Sequence, residues 1–202
     1  MPRAKLDRSQ VIKAAAGIAD RDGLAAVTLA RLAAELKVKP PSLYNHIEGT
    51  PALLDELTML AVAELLEQSR EAIMGRAGRD AFEALAHTQR AYAKAHPGLY
   101  SATFRSLHGR GLKAENIANS YIAVFLAVLR EYGHAGASAL HTVRCLRAAI
   151  SGFIELELRG GFGMPLDVDE SFQHLLNMLA AGLPVTAIQP NTQDSSISVE
   201  RG

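Results

Sequence analysis

Apolar residues recur along this chain at intervals of three and four, in one run after another, and glycine or proline separates the runs. That spacing puts them on one face of an α-helix, and no segment keeps the two-residue alternation of a strand. Val11, Ala14, Ala15, Ile18 and Ala19 make the first stripe, over Arg8–Asp20, with Asp7 placed to cap it and Gly23 to stop it. Thr28 opens a short second helix, Leu29–Leu36, with Leu29, Leu32, Ala33 and Leu36 on one side. Lys37-Val38-Lys39 makes a tight turn, and Pro40 and Pro41 suit the first turn of a third helix, Pro41–His46, where a missing N–H costs nothing. Thr50 is placed as the cap, and Pro51 as the first residue, of a long helix reaching about Met74. Further helices are expected over Asp80–Ala95, Pro97–Leu107, Ala114–Tyr132, Ser138–Arg159 and Asp169–Ala181. The predicted fold is all-α, with about nine helices.

Composition agrees. Hydrophobic residues make up 49% of the chain but aromatics only 5%, and tryptophan is absent, so alanine and leucine must fill the core. Strands favour β-branched and aromatic side chains; helices favour these. From Pro184 onward Thr, Gln, Asn, Asp and Ser dominate and the period is lost, so residues 184–202 read as a disordered tail. Residues 1–49 read as a head and 50–183 as a body, joined without a linker by the long helix. The start is basic but no apolar run follows it, unlike a signal peptide. The longest apolar stretch, Tyr121–Leu129, is well short of the roughly 20 residues of a membrane span, so no membrane partner is expected. A single cysteine, Cys145, excludes an intrachain disulfide and suits a reducing cytoplasm.

The 21 basic and 21 acidic residues cancel, which excludes a globally basic nucleic-acid coat and an acidic disordered chain. The balance is local: residues 1–50 hold eight basic and five acidic residues, and the remainder 13 basic and 16 acidic. The basic head also has the layout of a helix-turn-helix, whose last helix enters the major groove. In Pro40-Pro41-Ser42-Leu43-Tyr44-Asn45-His46, Leu43 and Ile47 are spaced to pack inward, leaving Ser42, Tyr44, Asn45 and His46 to point outward. Tyr and His donors suit phosphates, and Asn and Ser suit base edges. Thr28, at a helix N-terminus, suits another phosphate. Lys37, Lys39 and the arm from Arg3 to Arg8 would supply the salt-dependent part of the affinity. The bland alternative is a helical subdomain whose Lys and Tyr side chains are simply solvated.

Two stretches resemble a known family. Val27-Thr28-Leu29-Ala30-Arg31-Leu32-Ala33-Ala34-Glu35-Leu36 with Pro41-Ser42-Leu43-Tyr44-Asn45-His46-Ile47 resembles the DNA-binding domain of TetR/AcrR-type transcriptional regulators. Ala95-His96-Pro97-Gly98-Leu99-Tyr100 resembles a segment of their ligand domains. Ser151-Gly152-Phe153-Ile154-Glu155-Leu156-Glu157, with Gly160-Gly161-Phe162-Gly163 and Leu166–Phe172, resembles the C-terminal type named for a Trp-His-Gly signature, of which only Gly152 is kept. Lys37 stands where the family usually has Gly, and Thr50 where it commonly has a phosphate-contacting Lys.

The resemblance implies a homodimer that binds a palindromic double-stranded DNA operator and is released by a small-molecule effector. DNA contacts then fall to Thr28, Lys37, Lys39, Pro40, Pro41, Ser42, Tyr44, Asn45, His46 and Thr50. The last two long helices would dimerise through Leu146, Ile150, Phe153 and Leu156 with Phe172, Leu175, Leu176 and Leu179. The same stripes would equally serve an intramolecular core. Candidate pocket residues in the body are His87, Tyr92, His96, Tyr100, His108 and Tyr121, with Met59, Phe82, Phe104 and Phe125 as apolar walls. His141 and Cys145 stand four apart, a spacing that suits two metal ligands, but no third ligand is visible and helix packing explains them better. No phosphate loop, nucleophile elbow or His-Glu-x-x-His motif is present, so neither an enzyme nor a cofactor is expected. The alternative from another class is a helical protein–protein adaptor whose head binds a partner instead of DNA.

Overall fold

Asp7 accepts a hydrogen bond from the Gln10 backbone N–H at 2.8 Å, and Gln10 accepts one in return from the Asp7 N–H at 3.1 Å. This capping box starts α1, Arg8–Asp22, which buries Val11, Ala15, Ile18 and Ala19 as the spacing predicts. The computed structural model describes residues 6–183; the predicted tail, and Arg3 and Lys5 of the arm, lie outside the described residues. Thr28 caps α2, Leu29–Glu35. The remaining helices are α3 (Thr50–Ile73), α4 (Gly78–Ala95), α5 (Pro97–Ala102), α6 (Leu112–Arg130), α7 (Gly136–Leu158) and α8 (Val168–Ala181). Two short 3-10 helices, Leu24–Ala26 and Pro40–Asn45, complete the head, and no strand occurs among the described residues.

Three predicted elements differ in detail. The third helix is 3-10 rather than α, a tight single piece of six residues: Ser42 N–H reaches back to Lys39 C=O and His46 N–H to Leu43 C=O, both at 2.9 Å. Thr50 is not the cap of the long helix: Gly49, at φ 131°, holds that place and Thr50 is already helical. The helix expected over Pro97–Leu107 ends at Ala102, where Thr103 Oγ1 donates back to the Tyr100 carbonyl at 2.7 Å and turns carry the chain on to Gly111.

α3 runs for 24 residues, roughly 36 Å. It touches α1 and packs along α4, α5 and α6. One apolar cluster extends from Val11 in α1 to Leu183 beyond α8, so head and body share a core. α6 is the one described helix long and apolar enough to suit a membrane span. It is packed by α3, α4 and α7, with Tyr121, Val124, Phe125, Val128 and Leu129 buried, and serves as a core helix.

Candidate nucleic-acid interface and body cavity

Leu43 is fully buried and Ile47 nearly so, which plugs the Pro40–Asn45 segment into the head. The outer face is then fixed: Tyr44 is 61% exposed, Pro40, Pro41 and Asn45 are exposed, and Ser42 and His46 are half-buried. The turn before it is a Schellman motif. Val38 N–H bonds to Ala33 C=O at 3.0 Å and Lys37 N–H to Ala34 C=O at 3.1 Å. Such a turn needs a left-handed residue, and Lys37 supplies it at φ 54°, the one non-glycine with positive φ among the described residues. The lysine thus keeps the geometry that glycine would give and adds an exposed cation beside the segment.

The head's arginines are largely neutralised. Arg8 pairs with Glu56 at 2.6 Å, Arg21 with Glu35 at 3.1 Å, and Arg31 with Asp22 at 2.6 Å. Lys37 and Lys39, like Lys13 of α1, have no carboxylate partner among the described residues, so two of the head's free cations flank the Pro40–Asn45 segment. Thr28 is exposed, but its Oγ1 already accepts from the Arg31 N–H at 3.2 Å. Thr50 is half-buried at the start of α3.

Two sets of contacts around the head–body junction were missed by the sequence reading, one on α1 of the head and one on the start of α3. Asp20 at the end of α1 accepts from the Leu99 N–H at 2.9 Å and contacts His96 Nδ1 at 2.8 Å. Beside it, Gly98 of α5 meets the Ala19 backbone, so this part of the ligand-domain-like segment works as a clamp on α1. The second hold is Asp55, in the second turn of α3: Arg105 donates to its Oδ1 at 3.1 Å and Arg110 to its Oδ2 at 2.8 Å.

Arg105 also lines a cavity of about 630 Å³ walled by α3, α6, α7 and the turns after α5. Of the ten predicted pocket residues only His108 and Tyr121 lie on its wall. Phe82 and Phe125 are core, His87 stacks edge-on against Phe172 with centroids 5.4 Å apart, and Tyr92 donates to Glu64 at 2.8 Å. His96 belongs to the Asp20 clamp, Tyr100 donates to Ser151 at 3.1 Å, and Phe104 lies edge-on to Tyr100. Met59 lines a separate shallow hollow with Leu60 and Ile117. Phe82, Tyr92, Tyr100 and Phe125 are thus used up by the core while Phe104 stays 49% exposed, and the cavity wall is more polar than expected: Arg144 and Arg147 of α7 and Glu115 of α6 stand on it with apolar Val62, Leu107 and Ile122. A sequence signal for the two arginines exists: neither has an acidic residue three or four positions away on its helix to pair with. Burial pushes the Tyr121 phenol up, and the positive charge of Arg147 pulls it the other way.

The predicted dimer stripe divides. Leu146, Ile150, Phe172 and Leu176 are buried inside the chain, and Phe153, Leu175 and Leu179 pack partly against the same core. Leu156 is 51% exposed. The open face of α7 and α8 consists instead of Leu140, Cys145, Ala148, Gly152 and Leu156 with His174 and Met178. Its small residues carry little hydrophobic signal, which is why the apolar count pointed at the core side. His141 and Cys145 are both exposed. An ion cluster, with Arg90 and Glu157 largely enclosed and Lys94 and Asp169 exposed at its rim, ties α4, α7 and α8 together. Arg90 donates twice to Glu157 at 2.6 Å, lies 2.6 Å from Asp169, and sits 4.8 Å over the Phe172 ring, while Lys94 meets Glu157 at 2.7 Å.

Comparison with known proteins bears on this arrangement. Residues 82–179 match the family described as "Tetracyclin repressor-like, C-terminal domain". An uncharacterised HTH-type transcriptional regulator of Bacillus subtilis, YobS, is 33% identical over 183 residues, covering 90% of this chain and 95% of that protein. Among solved structures, a protein of unknown function from Rhodococcus sp. RHA1 superposes with a TM-score of 0.74 at 21% identity, over 91% of this chain and 98% of that one. A TetR variant from Acinetobacter baumannii AYE in complex with minocycline gives a TM-score of 0.65 at 23% identity, over 88% and 96% of the two chains.

Proposed function

The chain belongs to the TetR family of transcriptional regulators, and from that premise we propose that it is a ligand-responsive repressor. Two copies bind a palindromic operator, each placing one Pro40–Asn45 segment in a major groove about one helical turn from the other. Residues 1–49 form the DNA-reading head and 50–183 the effector-binding, dimerising body. The observation that carries the reading is the exposed Tyr44-Asn45 pair on a segment locked from beneath by Leu43 and flanked by unpaired Lys37 and Lys39. Asn45 and Ser42 read bases; Tyr44, His46, Thr28, Thr50 and the lysines hold phosphates and fix the register. Pro40 and Pro41 set the entry of the segment.

The partner copy docks on the open face of α7 and α8, around Cys145, Ala148, Gly152, Leu156 and Met178, where small side chains let helices approach closely. Effector in the body favours a state in which the heads no longer match the groove spacing. A hundredfold preference for that state corresponds to about 2.7 kcal/mol of coupling. The Asp20 clamp ties the body to α1 of the head, and the Asp55 contacts tie the turns after α5 to the start of α3, which leads out of the head. The Acinetobacter protein of the same fold, solved in complex with minocycline, supports a small molecule as the effector.

The test is selection of bound duplexes from a randomised pool. Enrichment of a palindrome supports the proposal. No enrichment over bulk DNA contradicts it and turns attention to a protein partner for the head.

A further inference from the structure

We propose that the cavity between α3, α6 and α7 takes a small organic anion, a carboxylate or phosphate carried on an apolar body, and that this anion competes with Asp55 for Arg105. The inference rests on the reading of the body as effector-binding and adds the chemical class of the effector.

Charge on the wall is unbalanced. Arg105, Arg144 and Arg147 line the cavity, and Glu115 is the one carboxylate on its wall among the described residues. Neither Arg144 nor Arg147 has a salt-bridge partner among the described residues, and the Arg147 guanidinium rests 5.6 Å from the Tyr121 ring centroid. A guanidinium without a carboxylate, beside an apolar wall, is a ready bidentate donor to an oxyanion. One buried donor points the same way: Arg105 Nε has no acceptor among the described residues. A buried donor without an acceptor costs free energy, which an oxyanion arriving at this wall would offset. Val62, Leu107 and Ile122 supply apolar contact for the rest of the molecule.

Arg105 gives such a ligand a route to the head. It contacts the cavity and also holds Asp55 at 3.1 Å, in the second turn of α3, ten positions beyond the end of the DNA-reading segment. An oxyanion that engages Arg105 weakens the hold on Asp55 and frees the first turns of α3.

The experiment measures binding of octanoate, octyl phosphate, octan-1-ol and octylammonium to the full chain by calorimetry, alongside its binding to pool-selected DNA. The expected result is binding of octanoate or octyl phosphate, whichever oxyanion the site prefers, and none of the alcohol or the cation. Arg144→Gln and Arg147→Gln should each weaken it by about tenfold or more. Asp55→Asn, which frees Arg105, should tighten it by about two- to fivefold. That gain of affinity cannot arise from misfolding. Equal binding of the alcohol, binding of the cation, indifference to the arginine substitutions, or no binding of any probe overturns the proposal. Retained binding to selected DNA in those cases leaves the regulator reading standing.

Discussion

Gly98 lies so close to Ala19 that a Cβ at position 98 would stand 1.9 Å from the Ala19 carbonyl oxygen. The obstacle is backbone, so no side-chain rotation relieves it. α5 and α1 approach to this distance because Asp20, the next residue, binds the Leu99 N–H. Gly98→Ala should therefore destabilise the chain by about 1–3 kcal/mol, read as a lower urea midpoint at unchanged slope. Gly17, an exposed position inside α1 with nothing near its would-be Cβ, is the control. There the same substitution should stabilise by about 0.5–1 kcal/mol.

Lys37 separates stability from DNA affinity. Its left-handed backbone costs a residue with a Cβ about 1–2 kcal/mol, and glycine relieves this at an entropic cost of about 0.5–1 kcal/mol. Lys37→Gly should leave stability equal or slightly raised while weakening DNA binding. The slope of log affinity against log salt should shrink by about 0.9. An unchanged slope would show that Lys37 touches no phosphate.

Asn45 and Tyr44 should differ in kind. Asn45→Ala should relax base preference by about 1–3 kcal/mol at one operator position, whereas Tyr44→Phe should weaken binding evenly across sequences. Competition binding against single-base operator variants distinguishes the two. Unchanged affinity in both would remove the segment from the interface.

The open face of α7 and α8 makes a prediction about assembly. Leu156→Glu with Met178→Glu places charge on exposed positions and leaves the core untouched. Sedimentation should change from dimer to monomer while helicity is kept. A monomeric wild-type chain would refute the assignment.

The Arg90 cluster sets an acid dependence. Hydrogen bonds from Arg90 hold the Glu157 carboxyl below its usual range, against burial, and Lys94 adds to the pull. A carboxyl lowered on folding contributes stability that is full above its unfolded pKa of about 4.3 and is lost as pH falls through the folded value. Glu157→Gln should be less stable than wild type at neutral pH and should lose less on acidification to about pH 3. Arg90→Ala, which leaves the half-buried Glu157 carboxylate with Lys94 alone, should cost about 1–3 kcal/mol.

The helices were legible because their signals are local. Asp7 and Gly23 bracket α1, paired prolines mark the short segment, and the apolar period gave nearly every stripe that is buried. The outward set Ser42, Tyr44, Asn45 and His46 followed from the inward pair Leu43 and Ile47. What the sequence did not reveal depends on contacts between distant residues. Asp20 with Leu99 and Asp55 with Arg105 are separated by 79 and 50 positions, and neither carboxylate stands out in its own helix. Most of the aromatics chosen for the pocket, Phe82, Tyr92, Tyr100 and Phe125, are among the largest side chains available, and the core took them. The cavity was left to arginines that have no partner nearby in sequence.

The central claim is that the Pro40–Asn45 segment, flanked by Lys37 and Lys39, reads duplex DNA. Its most direct test is the affinity of the wild-type chain and of Asn45→Ala for the selected palindrome and for a scrambled duplex, each across a salt series. The account predicts that wild type prefers the palindrome, that affinity for both duplexes falls steeply with salt, and that Asn45→Ala narrows the gap between duplexes without changing the salt slope. A gap that Asn45→Ala leaves intact, or an affinity indifferent to salt, would contradict it.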